Sequence, residues 1–173
     1  MKLLLVIDTL QSGGAQRLFV NLLNSLSEIY ETKILIYNST GKFFYSYKNN
    51  IKATVIKKTP RNGIKIITLI KIWKELKKAD IIISFMPSSS IYCLISRLFF
   101  NWNNILICKE VSINNKLENN FKKFIKNYFY IFANHIVCNT YKQANYLSKF
   151  RLISSKTSTI FNGCDIKKIK FKK

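Results

Sequence analysis

Residues 2–26 read KLLLVIDTLQSGGAQRLFVNLLNSL, and this stretch decides the fold. Leu3 to Ile7 is an unbroken apolar run that stops at Asp8, the pattern of a strand buried on both faces. After the loop TLQSGG, the residues Ala15, Leu18, Phe19, Leu22, Leu23 and Leu26 recur at helical spacing, so one side of the following helix is apolar. Strand, glycine turn and amphipathic helix follow in succession. With one Lys and five apolar residues before Asp8, the segment is too short for a secretory signal.

The same alternation runs outward along the chain. Lys33–Tyr37 and Ile51–Ile56 are β-branched strand candidates on either side of a polar loop around Gly41. Pro60 and Asn62-Gly63 punctuate before a helical pattern that ends near Lys78. Strands are then predicted at Asp80–Phe85, Ile105–Lys109, His135–Cys138 and Thr157–Phe161, with helices at Ser88–Phe100, Leu117–Ala133 and Tyr141–Phe150. Phe121, Phe124, Ile125, Tyr128, Phe129 and Phe132 form a stripe on the second of these helices. That stripe is either core or, with Lys122, Lys123 and Lys126 beside it, a contact with an anionic leaflet. Apolar strands joined by helices predict an α/β fold, a doubly wound, mostly parallel, Rossmann-like sheet. At 173 residues it should form a single domain.

Composition narrows the function. Against 29 Lys and Arg stand only 8 Asp and Glu, a formal charge of +21. Such a charge suits an anionic membrane surface. It also suits a solvated surface drifted by AT-rich coding, because Lys, Asn, Ile, Phe and Tyr are abundant together. No basic and aromatic motif of a nucleic-acid module accompanies it, so nucleic acid is not expected as a partner. Arg97 and the Lys122–Lys126 cluster interrupt the longest apolar stretches, leaving no membrane span. Cys93, Cys108, Cys138 and Cys164 are far apart, without a C-x-x-C pair or a His at ligand spacing. They are expected to be buried thiols of a reducing cytoplasm, with no metal site and no cofactor.

In a doubly wound sheet ligands bind outside the carboxyl ends of the strands. The residues there are Asp8 with Gly13 and Gly14, Ser84 to Pro87, Glu110 and Ser112, Asn139 and Thr140, and Asn162 with Asp165. Gly13-Gly14 precedes a helix whose free N–H groups favour a phosphate, although a glycine pair there also serves as a packing turn. Glu110 at a strand end either binds hydroxyls of an acceptor or is a paired or solvated loop acid. Asp8 has a similar choice between ligand and Asx turn. A dinucleotide enzyme is disfavoured. The loop lacks G-x-G-x-x-G, the second strand ends in Tyr37-Asn38 rather than an acid, and no P-loop occurs. His135, the sole histidine, opens a strand and reads as structural rather than as a general base.

The ordered segments GGAQRLFVNLLNSL, SFMP, ICKEVS, NHIVCNT and IFNGCD together resemble the N-terminal domain of glycosyltransferase family 4. The resemblance covers essentially the whole chain. It implies a GT-B architecture, in which two Rossmann-like domains face a cleft, the first holding the acceptor and the second mainly the nucleotide sugar. On this resemblance residues 1–162 form the acceptor domain, and 163–173 begin a linker to a second domain that lies outside the sequence. Gly13, Gly14 and Arg17 are expected at the donor phosphates, Arg17 either neutralising them or snorkelling. Asp8, Pro87, Glu110, Ser112, Asn139, Thr140 and Asn162 are expected to line the acceptor side. Gln16 stands where the family commonly has Glu. Glu110 and Glu118 reproduce the family's E-x7-E spacing, but after the fifth strand of the first domain, where the motif does not belong.

The activity this implies is retaining glycosyl transfer from a nucleotide sugar to a glycan or lipid-linked acceptor, at the inner face of the cytoplasmic membrane. The chain alone is expected to be inactive, working with a polypeptide that supplies the C-terminal half. The rival expectation is a non-catalytic domain that associates with a complete transferase.

Overall fold

Leu3, Leu5 and Ile7 of β1 (Lys2–Ile7) face one side of the sheet while Leu4 and Val6 face the other, and all five are buried. The strand is apolar throughout because helices cover both of its faces. The structure, a computed structural model, describes residues 1–37, 45–56, 66–110 and 127–163. The remaining strands are β2 (Glu31–Ile36), β3 (Lys52–Val55), β4 (Ile81–Phe85), β5 (Ile105–Glu110), β6 (His135–Cys138) and β7 (Thr157–Thr159). They form one sheet in the order β3-β2-β1-β4-β5-β6-β7, and each neighbouring pair is parallel.

This order explains the layering. The chain steps from β1 outward to β3, returns to β4 beside β1, and then steps outward the other way. Right-handed crossovers made in opposite directions put their helices on opposite faces. Accordingly α1 (Gly14–Leu26) packs Phe19, Val20 and Leu23 against Leu3, Leu5 and Ile7. On the other face α2 (Ile66–Leu76) and α3 (Pro87–Phe100) pack Leu69, Ile72, Leu76, Cys93 and Leu94 against Leu4, Val6 and Ile82. Phe19 meets Phe85 edge to face at 5.1 Å, a contact that adds about 0.5–1.5 kcal/mol beyond the area it buries. The reversal of strand order between β1 and β4 is the switch point, the place where doubly wound sheets hold their ligands.

Two predicted helices differ from expectation. The helix predicted over Tyr141–Phe150 is two: α4 (Tyr141–Ser148) ends, Phe150 is extended at φ −89° and ψ 102°, and α5 (Arg151–Ser154) follows. The aromatic stripe is also out of phase over its described part. Tyr128 is exposed while Tyr130 is fully buried. The chain tightens there into a 3-10 turn over Tyr130–Phe132, with about three residues per turn, and leaves it at Ala133 in extended backbone. A 3.6-residue period therefore selects the wrong aromatic. Phe121, Phe124, Ile125 and the Lys122, Lys123 and Lys126 flank lie outside the described residues, as do the loop around Gly41, the Pro60–Gly63 punctuation and residues 164–173. Among the described residues no helix is long and apolar enough to cross a membrane.

At the amino end of the sheet, two cations hold loops by capping carbonyls. Arg97 Nη1 donates to Phe132 O at 3.0 Å and to Asn134 Oδ1 at 2.6 Å. Lys156 Nζ donates to Ile131 O at 2.8 Å and Ala133 O at 3.2 Å.

Candidate functional site

At the switch point the loop after β1 meets the first turn of α3. Asp8 Oδ1 accepts the Thr9 N–H at 2.8 Å, one residue on rather than the two of an Asx turn, and Asp8 Oδ2 accepts the Ser88 hydroxyl at 3.0 Å. Ser88 also bonds the Tyr37 hydroxyl, which closes a cluster of the residue after β1, the residue after β2 and one from the first turn of α3. Burial holds the Tyr37 phenol well above its ordinary range; the Ser88 bond acts against that and the nearby Asp8 charge with it. Tyr37 and Ser88 were invisible as site residues in the sequence, because nothing local says that β2 and α3 converge on Asp8.

Gly13 and Gly14 behave differently from each other. Gly13 is extended at φ 166°, and a Cβ there would strike the end of the Gln16 side chain at 2.2 Å. That atom is the far end of a flexible side chain, so the approach alone does not require glycine; Gln16 itself is buried, with its Nε2 3.8 Å from Met86 Sδ. A Cβ on Gly14 would meet nothing within 4 Å. Among the described residues no neighbour accounts for that glycine, and it sits on the exposed N-terminus of α1, where free N–H groups and the helix dipole favour an anion. Arg17 is exposed one turn further on, with its own N–H bonded to Gly13 O at 3.1 Å.

Met86, between β4 and Pro87, has φ 74° and ψ 148°. A residue before proline normally sits near φ −120°, and a non-glycine in this region costs about 1–3 kcal/mol. The strain sits at the carboxyl end of β4, beside Gly13 and Gln16. It is held by the Met86 N–H bond to Lys109 O at 3.2 Å and by the seating of α3, where Ser84 Oγ and Ser90 Oγ lie 2.9 Å apart. Pro87 occupies the first turn of α3, partly exposed, where its missing N–H costs nothing.

Glu110 is buried, and the Tyr130 hydroxyl donates to its Oε2. Glu110 is thus a paired acid in this structure, at the last position of β5. Burial, and then the Glu110 charge, hold the Tyr130 phenol well above its usual range. Ser112, Glu118 and Asp165 lie outside the described residues. Lys109, next to Glu110, is also buried, and sequence reading passed over it.

Further along the edge, Thr140 caps α4 by accepting the Gln143 N–H at 3.3 Å, and Gln143 Oε1 accepts the Asn139 N–H at 3.3 Å. Both positions thus have local roles in starting that helix. Asn162 is exposed beside Phe161, whose ring meets Tyr141 edge to face at 5.1 Å. His135 Nε2 lies 2.8 Å from Ser158 Oγ and ties β6 to β7, away from the switch point. Among the described residues no three His, Cys, Asp or Glu side chains converge as a metal would require.

Comparison with known proteins gives this geometry a family. The chain is 30% identical over 142 residues to a Campylobacter jejuni alpha-1,4-N-acetyl-D-galactosaminyltransferase named for a GalNAc-containing diNAcBac-PP-undecaprenol acceptor. The match covers 77% of this chain but 38% of that protein. The fold resembles that of Anabaena HepE, solved with UDP and glucose, at TM-score 0.77 and 15% identity, covering 96% of this chain and 46% of HepE. It also resembles a UDP-N-acetylglucosamine 2-epimerase from Rickettsia bellii, at TM-score 0.64 and 9% identity, covering 94% of this chain and 45% of the epimerase. At such identities the fold alone is shared, and an epimerase shares it as readily as a transferase. The sequence settles the family: the Glycosyltransferase Family 4 model matches residues 12–168, from the loop before Gly13 to beyond β7, and the chain belongs to that family.

Proposed function

We propose that this chain is the acceptor-binding half of a retaining, sugar-nucleotide-dependent glycosyltransferase that builds a surface polysaccharide or lipid-linked glycan. The observation that carries this reading is Gly14: an open glycine at the N-terminus of α1, unexplained by packing, at the switch point of a family 4 domain. Its free N–H groups suit a diphosphate that departs from the sugar, where fixed dipoles stabilise developing negative charge. Asp8, Pro87, Asn139 and Asn162 stand along the same carboxyl edge and supply the acceptor side. The UDP and glucose held by HepE support a nucleotide-sugar donor. The undecaprenol-linked acceptor in the name of the Campylobacter jejuni relative supports a lipid-linked acceptor and work at the inner membrane face, to which a +21 chain is attracted.

The chain spans less than half the length of both relatives. We assign the donor's sugar and base to a second Rossmann-like half, with closure of the two excluding water. The test is sugar transfer from UDP-sugars to a polyprenyl-diphosphate glycan, by the chain alone and co-expressed with the C-terminal half of a family 4 enzyme. Transfer is expected only in the pair, and lost when Gly14 is replaced by Val. Transfer by the chain alone, or by a pair indifferent to Gly14, would sink the proposal.

A further inference from the structure

Lys109 stands apart from the other shielded cations. Arg97 and Lys156 are each partly buried and each donates to two oxygens. Lys109 is only 7% exposed, yet its Nζ has no hydrogen-bond or salt-bridge partner among the described residues. Nor is Nζ among the polar atoms sealed from solvent, so the ammonium keeps an opening to water. Lysines are almost never this buried without a partner, because removing an ammonium from water without compensation is expensive. Here burial also pulls the Lys109 amine below its ordinary pKa.

Its position says what the partner is. Lys109 lies in register with Phe85 of β4 and Val137 of β6, both buried, so its stem rests between apolar neighbours. Phe85 belongs to the face covered by α1, where it meets Phe19, and in-register parallel neighbours point to one face. The Lys109 side chain is therefore on the α1 side of the sheet, opposite in sense to Glu110. It is the last residue but one of β5, two strand spacings or about 10 Å from β1, at the same carboxyl edge as the open N-terminus of α1. A cation and a helix N-terminus at one edge both select negative charge, and a group spanning them carries at least two phosphate charges.

We propose that Lys109 is an anion-binding residue of the cleft, pairing with one phosphate of a diphosphate ester whose other phosphate rests on the N-terminus of α1 at Gly14. The proposal deepens the function given above and rests on it. The chemistry is that of a diphosphate, carried by either a nucleotide sugar or a polyprenyl-linked acceptor. Lys109 remains unpaired in the free protein because its partner arrives with the substrate, and the cost of its burial is repaid only on binding.

The test uses the full 173-residue chain, isotopically labelled, titrated with pyrophosphate, UDP and geranyl diphosphate while the Gly14 and Lys109 amide signals are followed. Lys109→Met is compared with Lys52→Met, an equal loss of charge on the exposed β3 strand. Binding at least tenfold weaker in Lys109→Met, with Lys52→Met like wild type and the melting temperature of Lys109→Met equal or higher, is the expected result. A preference for UDP identifies the donor as the source of the diphosphate, and a preference for geranyl diphosphate the acceptor. If the Gly14 signal shifts equally in wild type and Lys109→Met, the lysine is overturned while the phosphate site at Gly14 stands. If neither signal moves in wild type with any probe, both fall. A marked loss of stability in Lys109→Met would make it a structural cation and overturn the proposal as well.

Discussion

The Ser88 hydroxyl donates to Asp8 Oδ2 across 3.0 Å, joining α3 to the end of β1 over 80 residues of sequence. The bond spans the switch point and shares Ser88 with Tyr37. Ser88→Ala is expected to lower stability by about 1 kcal/mol, the net worth of one such bond. It should appear as a lower urea midpoint with an unchanged slope. An unchanged midpoint would mean that water replaces the hydroxyl at no cost.

Gly14→Ala separates fold from function. A Cβ there meets nothing within 4 Å, and alanine loses less chain entropy than glycine, so the isolated chain should be as stable or gain up to about 1 kcal/mol. In the two-half enzyme the methyl group would stand where we place the phosphate, and transfer should fall at least tenfold. Thermal melting checks the first outcome and turnover the second. A destabilised Gly14→Ala chain would show that the glycine is there for packing.

Tyr130→Phe removes the donor to Glu110 Oε2 inside the core. Taking one partner from a buried acid leaves a desolvated group, which costs about 1–3 kcal/mol. The urea midpoint should drop accordingly, and Glu110→Gln should be milder, since the amide oxygen can still accept the phenol proton. Equal losses in the two variants would mean that the charge, rather than the hydrogen bond, matters.

Alkaline pH should weaken the fold through its buried thiols and phenols. Burial pushes the Cys108 thiol from 9.0 up to about 12, against bonds from Ser84 and Ser90. Its folded pKa is raised, so this contribution is fully present below about pH 9 and is lost as pH rises towards 12. Cys93 shifts in the same direction, chiefly by burial, whereas Lys109, with its lowered pKa, acts in the opposite sense. The urea midpoint of wild type is expected to decline between about pH 9 and 11, and less steeply in Cys108→Ala. Parallel curves for the two would show that the thiol titrates as it does unfolded.

The secondary structure was legible because period and run length are local properties. β1 and α1 could be read from residues 2–26 alone, and the apolar strands announced a sheet covered on both faces. Gly14 and Asp8 were visible as candidates because they follow a strand. Where the chain changed its period locally, at the 3-10 turn over Tyr130–Phe132 and at the extended Phe150, the reading lost phase.

Strand order, register and face were decided only in three dimensions. No run of residues states that β4 returns to lie beside β1, yet that return creates the switch point and brings Ser88 and Tyr37 to Asp8. Neighbours in sequence also parted ways. Glu110 turned inward to Tyr130, while Lys109 was left on the α1 face with its ammonium unpaired among the described residues. The physical reason is the two-residue period of a strand: adjacent side chains face opposite sides, and what waits on each side comes from distant parts of the chain.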